Sequence, residues 1–278
     1  MGQPEPRLFH QAFLPTSGTE RAFVWKYSQA IGGRRPQHFH IEPEVNLVVR
    51  GSATFAIGSA VAQVAEGDLL AFPSGQDHAL LTASPDLYLY AIGLEPEYSA
   101  EVLGPERAAG MPLHVALGTR ELELIDDRAA AIVDRSRAHS LAAELWELSF
   151  WAGVRGAPRT RRATHVLTRR TLQLLSSAPE LGLGALARFA RAHPSEVSRH
   201  FHGDMGVTLA RYRARLRLLH FIRQVDSGER DLMSSASVAG FGSYSQAHRS
   251  FQSELGCAPR QFFTDGLREQ MQATYSAV

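Results

Sequence analysis

The spacing of apolar positions changes period once along the chain, and the change divides it. From Arg21 to about Leu94 apolar and polar residues alternate in short runs: Phe23, Trp25 and Tyr27, then Val45 to Arg50, Thr54 to Ile57, Val61 to Val64, Leu69 to Phe72 and Leu87 to Ile92. Gly51, Gly58, Gly67, Pro73 and Pro85 punctuate these runs, so this half is expected to fold as short strands in a barrel or sandwich. Glu95 to about Gly110 leaves the sheet, and from Thr119 the period becomes that of helices. Leu122, Ile125, Ala129, Ile132 and Val133 form one stripe, and Leu141, Leu145, Leu148 and Trp151 another. Two such helices can pack on the barrel or on a second subunit, which leaves a homodimer open. Val154 to Arg162, with Gly156 and Pro158, reads as a linker, and the rest reads as helix broken by short turns.

Two parts of the helical half have the size of a helix-turn-helix. In the first, Leu186, Ala187 and Ala190 give an apolar face, Arg191 to His193 make a turn, and Pro194 starts a second helix with Val197 and Phe201 inward. In the second, Leu232, Ala236 and Ala239 form a short helix, and Gly240-Phe241-Gly242 turns. Ser243 to Leu255 then forms a helix ending at Gly256, with Pro259 as a stop. Between them Thr208 to Val225 carries Leu209, Tyr212, Leu216, Leu219 and Ile222 on one side. At ~1.5 Å per residue it makes a strut of roughly 27 Å, able to hold two reading helices near one ~34 Å turn of DNA apart.

Charge separates along the same line. Residues 1 to 158 hold 12 Lys+Arg against 19 Asp+Glu, net −7, whereas residues 159 to 278 hold 17 against 9, net +8. A basic half suits a polyanion, because neutralising phosphates releases condensed counterions, although a solvated arginine-rich surface would give the same count. Cys257 is the only cysteine, which excludes a disulfide framework and a cysteine zinc cluster and fits a reducing compartment. The polar start, Met1 to Arg7, lacks the apolar core of a signal peptide, and no stretch approaches the ~18 apolar residues of a membrane helix. A cytoplasmic protein with no membrane partner is expected.

The segment GLGALARFARAHPSEVSRHF from Gly182, the strut, and VAGFGSYSQAHRSFQSELGCAPRQFF from Val238 resemble the DNA-binding domain of the AraC family over about Arg161 to Phe263. The resemblance implies a double-stranded DNA partner read in successive major grooves. The matching readers are Ser195, Ser198 and Arg199 in the first unit and Tyr244, Ser245, Gln246 and Arg249 in the second. Arginine to guanine and glutamine to adenine are the usual bidentate pairs, with phosphate contact or capping as the plainer uses of these residues. Arg191 stands where the family usually has a turn glycine, and Ser235 where it usually has an isoleucine-like core residue.

In the N-terminal half, G-x5-H-x-H-x3-E-x6-G (Gly32, His38, His40, Glu44, Gly51) is followed by G-x5-P-x-G-x2-H (Gly67, Pro73, Gly75, His78). The pair resembles the two cupin motifs up to a final asparagine, which is Thr82 here. Histidines at i and i+2 on a strand share a face, and Glu44 and His78 can converge on them inside a small barrel. Three imidazoles and a carboxylate suit a divalent transition metal such as Zn, Fe, Ni or Mn; the alternative is that the four serve as polar contacts to an organic effector. Glu42 is expected to face out. Asn46, with Phe55 and Phe72, is expected to line an effector pocket.

The fold expected is α+β with two domains. A cupin barrel over residues 1–110 and a helical region over 111–155 precede an all-α DNA-binding domain over 156–278, with helix-turn-helix units at about 183–202 and 231–255. The function expected is transcriptional control, in which a small molecule or metal effector bound in the barrel acts allosterically on DNA binding. The alternative is a metal-dependent cupin enzyme, such as a dioxygenase or isomerase, with an appended DNA-binding domain. An ordinary metabolic enzyme would not need that domain, so the expectation is a non-enzyme.

Overall fold

The computed structural model describes residues 9–10, 21–28, 37–103, 113–130, 138–159, 164–228, 231–264 and 266–269. In chain order the N-terminal part contains β1 (Phe9–His10), β2 (Ala22–Ser28), β3 (His38–Phe39), β4 (Glu44–Arg50), β5 (Ser52–Ile57), β6 (Ala60–Ala65), β7 (Asp68–Phe72), β8 (His78–Ala83) and β9 (Tyr88–Leu94). Then come α1 (Pro96–Leu103), β10 (Leu113–Ala116), α2 (Thr119–Ala130), α3 (Ala138–Arg155) and β11 (Ala157–Pro158). Two sheets form the barrel, one in the order β1-β3-β8-β5-β6 and the other β11-β10-β7-β4-β9-β2.

Strand β4 is covered on both faces, although its polar and apolar residues alternate. Glu44, Asn46 and Val48 alternate with Val45 and Leu47, and all five are buried. Val48 packs inside the barrel with Phe55, Leu70, Phe72 and Leu89. Val45 and Leu47 pack on the other face, against Ile125 and Ala129 of α2 and Leu145 and Trp146 of α3. A strand covered on both sides has no polar face to show. Leu122, Leu148 and Trp151 join the same cluster, so the described parts of both helical stripes rest on the barrel. Ile132 and Val133 lie outside the described residues, as does the side chain of Leu141.

Of the linker expected at Val154 to Arg162, residues 154–159 are described and belong to a helix end and a short strand, while residues 160–162 lie outside the described residues. Helix α3 continues to Arg155, and Ala157–Pro158 then pairs antiparallel with Val115–Ala116 of β10. Strand β10 in turn pairs with β7, so residues 111–155 are not all helical as expected.

The C-terminal part is helical: α4 (Val166–Ser177), α5 (Leu183–Ala190), α6 (Pro194–Met205), α7 (Leu209–Asp226), α8 (Leu232–Val238), α9 (Tyr244–Leu255) and α10 (Pro259–Phe263). Pro259 does more than stop α9, because it opens α10 at a position where a missing N–H costs nothing. The stripe of α7 is buried over Leu209, Tyr212, Leu216, Leu219 and Ile222. Phe39 and Ile41 of the barrel belong to the same apolar cluster as these helices. Tyr212 donates its hydroxyl to Ser74 O at 2.6 Å, and Arg223 pairs with Glu95 and Glu97. Beside them Gly58 and Gly206 meet so closely that a Cβ on Gly58 would fall 2.7 Å from Met205 O.

Candidate functional site

The cupin histidines come together as their spacing predicts. His38 on β3 lies directly across from His78 on β8. His40 follows just past the end of β3, where the chain leaves the sheet before Glu44 opens β4. One ring nitrogen from each of His38, His40 and His78 lies within 4.8 Å of the others, and all three side chains are buried. Glu44 Oε2 is 3.0 Å from His40 Nε2 and 3.8 Å from His78 Nε2. The ring of His78 stacks on Phe72 at 4.2 Å between centroids, and its Nδ1 is 3.0 Å from Gln76 O. That backbone contact orients the ring and leaves Nε2 facing the cluster. Asn46 donates to Glu44 Oε1, and Phe55 lies 6.2 Å from Phe72, so Asn46 and Phe72 touch members of this centre and Phe55 packs behind Phe72.

Glu42 is the correction. It is buried rather than outward, with Oε2 3.5 Å from His40 Nδ1. The chain is out of the sheet from His40 to Pro43, so strand alternation cannot place a residue there, and the burial of Glu42 follows from how the loop carries it against His40. Burial opposes charge on His40, yet Glu42 and Glu44 on either side together lift its pKa to about 9. Burial likewise pushes Glu44 up, but the hydrogen bond to His40, the charges of His78 and His40 and the Asn46 amide bring it down to about 2. Burial holds His78 below the usual histidine range, against the pull of Glu44. His78 Nε2 is buried without a hydrogen bond and faces Glu44 and the other two imidazoles, and a buried lone pair in such a place is what a cation satisfies.

The two helix-turn-helix units are set by their turns. Helix α5 ends with Arg191 in the left-handed region (φ 52°), where glycine would be unstrained. Helix α6 begins with a capping box between His193 and Glu196 and with Pro194 in its first turn, and it buries Val197, Phe201 and Met205. Ser195 and Arg199 are exposed and Ser198 half-buried. In the second unit Asp231 caps α8, Gly240 turns at φ 81°, and Ser243 caps α9. Helix α9 buries Ala247, Phe251 and Leu255 and exposes Ser245, Gln246 and Arg249. Tyr244 is half-buried against the apolar cluster, and the Gln246 side chain accepts the Gly242 N–H at 3.1 Å. Ser235 is fully buried and its Oγ has no hydrogen-bond partner.

Residues 26–90 match the family model described as a cupin domain, and residues 186–265 match the one described as a helix-turn-helix domain, which is of the AraC type. The chain is an AraC-type DNA-binding regulator with a cupin domain. No curated protein is recognisably similar to this regulator in sequence. Among solved structures it is similar to ToxT from Vibrio cholerae O395, with 11% identity and a TM-score of 0.46, over 87% of this chain and 96% of that one. It is also similar to unsaturated fatty acid bound ToxT from Vibrio cholerae strain SCE256, with 12% identity and a TM-score of 0.47, over 87% and 93%. A variant of oxalate decarboxylase from Bacillus subtilis matches 28% of the regulator and 22% of its own chain, with 27% identity and a TM-score of 0.25. Among the described residues no helix is long and apolar enough to cross a membrane.

Residues that sequence reasoning missed lie where the two domains touch. Gln37 and Asp77 each precede a cupin histidine, and Arg215 sits beside Leu216 on the buried stripe of α7. Its place at i+3 from Tyr212 was a readable sign that this arginine is covered.

Proposed function

We propose that the cupin centre takes a divalent transition ion through His38, His40 and His78, with Glu44 as a fourth donor, and that its occupancy governs base reading by α6 and α9. The observation that carries this reading is three buried imidazoles with donor atoms within 4.8 Å, joined in one chain to two helices with exposed polar faces. The donor set fits once an ion displaces the proton that Glu42 and Glu44 hold on His40: imidazole and carboxylate suit Zn, Fe, Ni or Mn, and the ion would supply a Lewis-acidic position at which a small-molecule effector can coordinate. Asn46, Phe55 and Phe72 border the position such an effector would occupy. Ser195, Ser198, Arg199, Tyr244, Ser245, Gln246 and Arg249 are the readers on this account, Arg199 and Arg249 having the reach for guanine. A sensing rather than catalytic role follows from the DNA-binding domain, which turnover would not require.

Elemental analysis of protein purified without added metal, repeated after reconstitution, tests the centre. About one ion per chain in the wild type and loss of that ion in His40→Ala are expected. A reconstituted wild type that still holds no ion would make the four residues an organic-ligand site instead.

A further inference from the structure

Arg215 lies midway along α7 with none of its surface exposed. A guanidinium removed from water needs acceptors for its donors; those that Nε and Nη1 find come from both domains, while Nη2 has none among the described residues. Nε donates to Glu254 Oε2 at 3.1 Å, near the end of reading helix α9. Nη1 donates to Asp77 Oδ1 at 2.6 Å and to Gly75 O at 3.1 Å, both in the loop between β7 and β8. The same group sits 5.2 Å from the ring centre of Phe39 on β3.

The acids extend the line at both ends. Asp77 Oδ2 accepts from Gln37 Nε2 at 2.6 Å, and Glu254 Oε1 accepts from Arg211 Nε at 2.7 Å. Gln37 is covalently next to His38 and Asp77 is next to His78. A continuous set of bonds, Gln37–Asp77–Arg215–Glu254–Arg211, therefore joins the neighbours of two cupin histidines to the helix that carries Gln246 and Arg249. The carboxylates of Asp77 and Glu254 are buried too, so breaking either ion pair with Arg215 weakens the compensation of charges held away from water. Such a set moves together or not at all. An ordinary structural ion cluster would hold two elements of one domain, whereas this one crosses the domain boundary.

We propose that Arg215 is a positioning residue that links occupancy of the cupin histidines to the placement of α9, so that barrel and DNA alter each other's ligand affinity. The proposal rests on the metal reading above for the identity of the barrel's ligand. An ion drawing His38 and His78 to fixed positions sets Gln37 and Asp77, one residue away, and Arg215 passes that setting to Glu254. Coupling of this kind is reciprocal: whatever factor the ion adds to DNA affinity, DNA adds to ion affinity.

The test uses the full chain, a DNA duplex selected by the wild type from random sequence, and Zn²⁺ or Mn²⁺ alone as the ion. Arg215→Met takes from two buried carboxylates the cation they share and invites unfolding, so the near-isosteric Asp77→Asn and Glu254→Gln carry the experiment. In the wild type, ion-loaded and ion-free protein are expected to differ at least about fivefold in DNA affinity. In both variants that ratio falls below about twofold, while elemental analysis shows the ion still bound. Hydrogen exchange gives a second readout without any ion: adding DNA slows exchange of amides 74–78 in the wild type but not in Glu254→Gln. An undiminished ratio in both variants overturns the proposal, as does a wild type in which DNA changes neither ion affinity nor exchange at 74–78. If the chain takes up no ion, the metal reading fails by itself and the exchange measurement still decides the role of Arg215.

Discussion

Two single residues depart from the AraC pattern, and each has a visible cost. Arg191 closes α5 in the left-handed region, where an L side chain is strained by about 1–2 kcal/mol and glycine is not. Arg191→Gly is expected to raise stability by about 1 kcal/mol after the entropy of a more flexible unfolded chain, seen as a higher urea midpoint of the helical circular dichroism. Ser235 is fully buried with an unpartnered hydroxyl, and Ser235→Ala removes that group at little loss of volume. A gain of about 1 kcal/mol is expected by the same measurement, and a lower midpoint would mean that Oγ has a partner after all. Both departures were legible in the sequence as exceptions to a pattern. Their sign was not, because it depends on a backbone angle and on burial.

Among the elements, those governed by nearby residues were readable and those governed by distant ones were not. The strut and both reading helices announce themselves by caps at His193, Thr208 and Ser243 and by apolar spacing within a few turns. Strand β3 is two residues long and β11 is Ala157–Pro158, and each exists only because a partner strand far along the chain accepts it. Glu42 was misplaced for the same reason, since its burial follows from how β3 and β4 are joined. The histidine site was legible nonetheless, because the whole spacing of the two cupin motifs, rather than strand alternation alone, marks its residues. On α9, Arg249 is exposed, whereas Gln246 already accepts the Gly242 N–H. Arg249→Ala should weaken a selected site by about 1–3 kcal/mol and relax one base preference. Gln246→Ala should cost less, because its amide must first give up a bond within the protein. Titrating both variants against the selected and a scrambled duplex checks the order, and equal weakening on both duplexes would make Arg249 a phosphate contact.

At the scale of the molecule, the two domains share apolar material. Phe39 is buried among C-terminal side chains, Ile41 packs beside it, and both would leave with the barrel. A fragment of residues 164–278 would uncover the side of α7 carrying Tyr212, Leu216 and Leu219 and would deprive Arg215 of Asp77. Burial of one large apolar side chain is worth about 1.5–3 kcal/mol, so the fragment is expected to melt roughly 10 °C below the helical transition of the full chain. Coincident melting in the two would show that docking contributes nothing to this domain.

Ser195 and Arg199 on α6 and Ser245, Gln246 and Arg249 on α9, the exposed members of the proposed reading set, are open to solvent while the barrel is docked against α7. Nothing has to be unmasked for DNA to be met. The genetics should follow: a barrel deletion yields a feebler regulator rather than one freed from restraint. Alleles that lock the output on should then map to the seam between the domains, where shape is set, rather than to losses of the sensor.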